Sequence, residues 1–176
     1  MNFLIISLIF FPFFLVMVFL ISRLLGDILA LSFWGAIYVP TKLKKIERMI
    51  EIARIKSGER AADLGAGDGR IVIALAKLGL EAHGYEINPL LVLLAKQNIR
   101  KAGVEEKTFI HWKNFWKESF SNFDVITIYG IHHIMKRLEI KLKKELRTGT
   151  RVVSNGFIFP TWPPSKKDDN IYLYIK

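Results

Sequence analysis

No cysteine occurs among the 176 residues. Disulfides, thiol catalysis and cysteine-based zinc sites are therefore excluded, and a reducing compartment fits the composition. Acidic side chains are also few: 16 Asp and Glu face 26 Lys and Arg, a net charge of +10. An excess of this size suits an anionic partner, either a lipid headgroup surface or nucleic acid, although a basic face can also simply be solvated. The third absence is local. Between Asn2 and Ser22 there is no charged side chain, and "FLIISLIFFPFFLVMVFLI" runs from Phe3 to Ile21.

About 20 apolar residues at 1.5 Å each cross roughly 30 Å of hydrocarbon, so the run has the length of a membrane-spanning helix. It lacks the basic start and small-residue cleavage site of a secretory signal. A buried core helix is seldom apolar all round over this length. We therefore expect a transmembrane anchor over 1–22, a juxtamembrane linker or interfacial segment over 23–41 and a soluble domain over 42–176; the apolar stretch that carries Trp34 and Tyr38 is open equally to lying in the membrane interface and to packing on the soluble domain. Arg23, Lys42, Lys44 and Lys45 lie on the C-terminal side of the run, which places the N-terminus outside and the domain in the cytoplasm, or facing the matrix if the protein is mitochondrial.

From Lys42 onward helical and strand periods alternate. Helices are expected in "KLKKIERMIEIARI", "RIVIALAKLGL" and "PLLVLLAKQNIRKAG", and from about Met135 to Arg147. Strands are expected in "RAADL", "EAHGYEI", "KTFIHW", "DVITIY", "RVVSNGFIF" and "IYLYI", with "PTWPPSKKDD" as a Pro-rich loop. The alternation predicts an α/β fold, a mostly parallel Rossmann-like sheet with helices on both faces. No internal repeat is present.

The first strand-to-helix turn, "DLGAGDGR", holds Gly65, Gly67 and Gly69. A dinucleotide fingerprint would have glycine where Arg70 stands, and a phosphate-binding P-loop would follow its glycines with Lys-Ser or Lys-Thr. Neither pattern is met. Asp63 precedes the turn, and Glu86 closes the next strand, about 20 residues on, where an acid grips ribose hydroxyls. Bare backbone and two carboxylates suit S-adenosylmethionine, whose sulfonium and ammonium are cationic.

"YVPT" at Tyr38–Thr41, "DLGAGDGR" at Asp63–Arg70, "GYEINP" at Gly84–Pro89, "NFW" at Asn114–Trp116 and "GTRVVS" at Gly149–Ser154 resemble the small class I protein lysine methyltransferases. That group includes archaeal broad-specificity enzymes and the membrane-anchored mitochondrial enzymes that modify the ATP synthase c-subunit and the adenine nucleotide translocase. "LEIKLKKEL" and "FIFPTW" are closer to the mitochondrial branch. The resemblance implies the class I methyltransferase sheet, with Asp63, Gly65, Gly67 and Gly69 lining the methionine end of the cofactor and Glu86 holding the ribose. It also implies that Asn114 pairs with the adenine amino group through its amide oxygen, while Phe115 is open equally to covering the adenine face and to being plain core. Two departures are visible. Asn155-Gly156 replaces a bulkier residue after "VVS", and the tail before "IYLYI" is short, which predicts an abbreviated substrate side.

Methyl transfer to an amine requires a neutral lysine, which an apolar channel favours by disfavouring the charged form. Tyr129 is expected to orient the amine, while Phe157, Phe159 and Trp162 desolvate it; the same aromatics also read as ordinary core or loop cover, the commoner fate of such residues. His132 and His133 read as a polar loop, and no metal is expected. The expected acceptor is a membrane-associated protein, with anionic lipid facing Lys42, Lys44 and Lys45. "DVITIYGIHH" lacks the Pro-Pro-aromatic sequence with which adenine methyltransferases hold a flipped base, so a nucleic-acid substrate is disfavoured. Methylation of a lipid or quinone and a non-catalytic cofactor-binding membrane protein are the alternatives.

Overall fold

The computed structural model describes residues 10–23 and 38–176. The chain divides into two units, 1–37 and Tyr38–Lys176. In the first, residues 10–23 form helix α1. No helix among the described residues is long and apolar enough to cross a membrane. The expected span begins ahead of α1, and residues 1–9 lie outside the described residues, as do 24–37 of the expected linker. Residues 38–41 belong to the second unit, which starts four positions ahead of the expected boundary at 42.

The second unit runs α2 (Leu43–Ala53), β1 (Arg60–Leu64), α3 (Arg70–Lys77), β2 (Glu81–Glu86), α4 (Pro89–Ala102), β3 (Thr108–Trp112), β4 (Val125–Ile128), α5 (His132–Glu145), β5 (Arg151–Asn155), β6 (Lys166–Asp168) and β7 (Ile171–Ile175). The strands form one seven-stranded sheet in the order β3-β2-β1-β4-β5-β7-β6. β1 to β5 pair in parallel and β7 runs antiparallel between β5 and β6. Strand order reverses between β1 and β4, and in such sheets ligands bind at that point, beyond the carboxyl ends of the strands.

Central strands are apolar on both faces, as a parallel sheet covered by helices requires. Ala61, Val125 and Val153 join Ile46, Met49, Ile71, Leu75 and Ile99 of α2, α3 and α4 on one side. Their neighbours Ala62, Ile126 and Val152 join Met135, Leu138 and Leu142 of α5 on the other. Capping residues fix the helix ends: Asn88 accepts from Leu90 N at the start of α4, with Pro89 as the first helical residue. Arg151 donates to the carbonyls of Ala53 and Arg54, each at 2.8 Å, at the end of α2.

Three boundaries differ from expectation. α5 begins at His132 rather than Met135, because its first turn has no core-facing position that must be apolar before Ile134 and Met135. β5 stops at Asn155 because Gly156 takes φ +87 and donates its N–H to Asn170, which turns the chain out of the sheet before Phe157. The Pro-rich loop contains a strand, Lys166–Asp168, joined to β7 through Asp169 and Asn170. Asp169 adopts φ 51, the left-handed geometry that short hairpin turns favour. The sheet has all seven strands, and the shortness of the tail shows only in β6, three residues at a lysine-rich open edge.

Candidate active site

β1 delivers Asp63 to the carboxyl edge of the sheet, and the chain then turns through Gly65 (φ +85), Gly67 (φ +55) and Gly69 (φ +82) into α3. Left-handed backbone at alternate positions is costly for any residue with a Cβ. Two of the glycines also face neighbours: a Cβ on Gly67 would sit 2.7 Å from the Tyr38 ring, and one on Gly69 3.1 Å from Ala95 of α4. A Cβ on Gly65 would meet open space.

β2 pins this turn from the side. The Tyr85 carbonyl accepts from Gly65 N at 2.9 Å and Ala66 N at 3.1 Å, and Glu86 Oε2 accepts from Gly67 N at 2.9 Å. Glu86 Oε1 accepts from Ile87 N and Asn88 N, both at 2.8 Å. Three backbone donors hold the carboxylate in place, which leaves lone-pair capacity for a further donor.

Asp63 is 2% exposed. Its Oδ1 accepts from Thr127 Oγ1 of β4 at 2.7 Å, while Oδ2 is buried with no hydrogen-bond partner among the described residues. Burial, with added repulsion from Glu86 and Asp68, pushes its carboxyl up to about 7, against the Thr127 hydrogen bond. A buried acceptor left unpaired is expensive, so the site calls for a cationic or hydrogen-bonding ligand group at this oxygen. The open space at Gly65 and the orphan oxygen together fit the aminoacyl end and sulfonium of S-adenosylmethionine.

The segment Tyr38–Thr41 crosses the glycine turn. Arg70 Nη1 donates to the Thr41 carbonyl at 2.9 Å and its Nη2 pairs with Asp68 at 2.7 Å. Burial alone would raise the Asp68 carboxyl, but Arg70 holds it below its ordinary value. Asn155, at the end of β5, donates to Thr41 Oγ1 at 3.4 Å and accepts from Lys45 Nζ at 3.4 Å. Tyr38, Thr41 and Asn155 had no site role in the sequence reading; their only signal was the "YVPT" motif and the unusual Asn155-Gly156 pair.

The remaining expected residues divide. Asn114 follows β3 beside Glu86, since Lys113 N donates to the Glu86 carbonyl at 3.0 Å. Its Oδ1 already accepts from Trp116 N at 3.0 Å, capping a short helical turn, so one of the lone pairs assigned to adenine is in use. Phe115 is half-buried with its ring 4.8 Å from Trp116. Tyr129, just past β4, is partly exposed and lies 6.3 Å from Phe157. Trp162 and Phe159 do not join them. Both are buried, stacked on each other at 5.5 Å and packed on Tyr174, whose hydroxyl accepts from Phe159 N. The turn at Gly156 sends this segment back under α5, so Trp162 packs in the core and only Phe157 of the three aromatics lies near Tyr129. His132 and His133 occupy the first turn of α5 rather than a loop.

This sheet, with its glycine turn between two acids, defines a class I methyltransferase fold. A solved structure described as an RNA methyltransferase from Salinibacter ruber bound to S-adenosyl-L-homocysteine superposes with TM-score 0.76 and 33% identity, over 78% of this chain and 93% of that one. A Geobacter sulfurreducens S-adenosylmethionine-dependent methyltransferase bound to the same product shares the fold at TM-score 0.60 and 19% identity, over 70% of this chain and 52% of that one. The chain belongs to the family described as the ANTKMT methyltransferase domain, whose model matches residues 63–166.

The human lysine N-methyltransferase named for the ATP synthase c-subunit is 39% identical over 127 residues, 72% of this chain and 54% of that protein. A protein-lysine N-methyltransferase of Saccharolobus islandicus is 39% identical over 148 residues, 78% of this chain and 92% of that protein. The mouse adenine nucleotide translocase lysine N-methyltransferase is 39% identical over 142 residues, 78% of this chain and 62% of that protein. The chain thus spans about half the length of the c-subunit methyltransferases it matches.

Proposed function

We propose that this protein is a membrane-anchored, S-adenosylmethionine-dependent protein-lysine methyltransferase. The observation that carries the reading is Asp63: a buried carboxylate oxygen without a partner among the described residues, beside a glycine turn that leaves open space, is matched by a small cationic nucleoside. Asp63 Oδ2 and the backbone at Gly65 would take the methionine end, and Glu86 the ribose. Asn114, through the capacity its cap leaves free, and Phe115 would bound the adenine. When bound, S-adenosylmethionine supplies an electrophilic methyl group on sulfur. The protein then has to align an amine and keep it neutral. Tyr129 and Phe157, at the carboxyl ends of β4 and β5, stand where an entering lysine loses water, and desolvation shifts that lysine toward its neutral form.

Lysine as acceptor is supported by the three relatives named for lysine methylation. The membrane placement is supported by the uncharged run Phe3–Ile21 and the cations that follow it, with the N-terminus outside and Tyr38–Lys176 on the cytoplasmic or matrix side. The Salinibacter relative's name makes RNA the second reading. Membranes and total RNA incubated with the chain and methyl-labelled cofactor separate the possibilities. We expect label in protein, recovered as methyllysine after hydrolysis. Label in RNA or in solvent-extracted lipid would overturn lysine as the acceptor.

A further inference from the structure

The outer face of α4 is divided. Leu90, Leu93 and Leu94 share one stripe, at spacings of three and four, and are 67%, 59% and 40% exposed. The next positions on the same side, Gln97, Arg100 and Lys101, are polar or cationic, and α4 contains no acidic residue. The apolar half is the end at which α4 leaves β2, beside Glu86. Trp112, at the carboxyl end of the neighbouring strand and 65% exposed, sends its indole N–H to the Ile87 carbonyl at 3.0 Å, which lays the ring against the start of the helix.

Unusually for an exposed tip, its polar groups are largely satisfied internally. Ile87 N and Asn88 N donate to Glu86, Pro89 has no N–H, Leu90 N donates to the Asn88 side chain, and the Trp112 donor is used. Backbone of this kind enters a medium with little water at reduced cost, because few donors have to lose a water partner. Lys96 flanks the apolar residues in sequence, with Arg100 and Lys101 one turn further along α4, whereas Lys113 beside Trp112 pairs with Glu118 at 3.0 Å. Leucine and tryptophan bordered by lysine and arginine, on an element free of acids, match the interface of an anionic bilayer.

We infer that the tip formed by Leu90, Leu93, Leu94 and Trp112 inserts into the headgroup region of an anionic membrane and holds the mouth of the cofactor pocket at the bilayer surface. The inference rests on the membrane placement proposed above. Its consequence is selectivity by depth, since an acceptor lysine has to be presented at headgroup level to reach the pocket.

The cysteine-free chain allows a clean test. Leu93→Cys in the full-length protein, and separately Leu90→Cys, carries a single nitroxide, with Ile140→Cys, an exposed position on α5, as reference. The labelled proteins are reconstituted in phosphatidylcholine–phosphatidylglycerol vesicles. We expect the labels at 90 and 93 to collide with oxygen in preference to a water-soluble nickel chelate, by at least about threefold relative to the label at 140, and the contrast to weaken in phosphatidylcholine alone. A chain that floats with vesicles while the labels at 90 and 93 remain as aqueous as at 140 overturns this inference alone. Spin–spin broadening that grows with the protein-to-lipid ratio assigns the face to a second copy and also overturns it. A chain that fails to float overturns the membrane placement together with the inference.

Discussion

The two halves of the sheet present their chemistry differently. On the β1–β2 side the site is built from backbone and near neighbours in sequence: a glycine turn, the carbonyl that pins it and two carboxylates, all between Asp63 and Asn88. On the β4–β5–β7 side residues distant in sequence meet: Thr41 Oγ1 accepts from Asn155, Tyr129 lies near Phe157, and Phe159 and Trp162 fold into the core on Tyr174. A cofactor common to many enzymes needs only the first kind of site, because backbone geometry recognises it. In the function proposed here, an acceptor particular to one enzyme would be selected by the second.

That contrast can be broken at several points. The largest effect is expected from Trp162→Ala, which empties a stacked core position and should cost about 3–5 kcal/mol of stability in denaturant unfolding while cofactor affinity in the folded protein is unchanged. A stable variant that loses only methyl transfer would restore Trp162 to the channel. Asp63→Asn should lower cofactor affinity by roughly 10- to 150-fold, about 1.5–3 kcal/mol for a charge-assisted hydrogen bond, with little loss of folding.

The Asp63 carboxyl, raised to about 7, also sets a pH dependence. In the unfolded chain this group ionises near its ordinary value of 3.8, so between about 4 and 7 the folded state without cofactor holds a proton the unfolded state has released. Its contribution to stability therefore declines as pH rises through that window. Cofactor affinity should move the opposite way, improving by up to about tenfold per unit as pH rises toward 7 and levelling above it, because the cation is held by the ionised form. Equilibrium dialysis from pH 5 to 9 would show this, and a flat profile would mean that Asp63 does not meet the charge. The smallest change is expected from Tyr129→Phe, with transfer slowed about tenfold or more and cofactor affinity within twofold of the parent. Single-turnover kinetics would separate the two, and an unchanged rate would leave the acceptor side to shape alone.

The sequence made legible those parts that depend on local chemistry. Gly65, Gly67 and Gly69 advertise left-handed backbone, Pro89 and Gly103 bracket α4, and the alternation of periods implied the parallel sheet. The acids Asp63 and Glu86 were readable because each stands at the carboxyl end of a strand, Asp63 next to last in β1 and Glu86 last in β2. Trp162 was open to both readings, channel and core, because an aromatic after a strand looks the same whether the chain continues to the mouth or doubles back, and a single left-handed Gly156 decides for the core. β6 was hidden by its lysines, which edge strands tolerate, although Asp169-Asn170 is a short-turn signal. The place of Tyr38 was open between the membrane interface and the soluble domain, since its contact with Gly67 depends on two segments meeting in space rather than on a local pattern.

The most direct measurement is a calorimetric titration of S-adenosylmethionine into the full-length protein at pH 8. We predict saturable binding of one molecule per chain, weakened in Asp63→Asn. No heat with this compound, or equal binding by the parent and the variant, would refute the pocket built on Asp63.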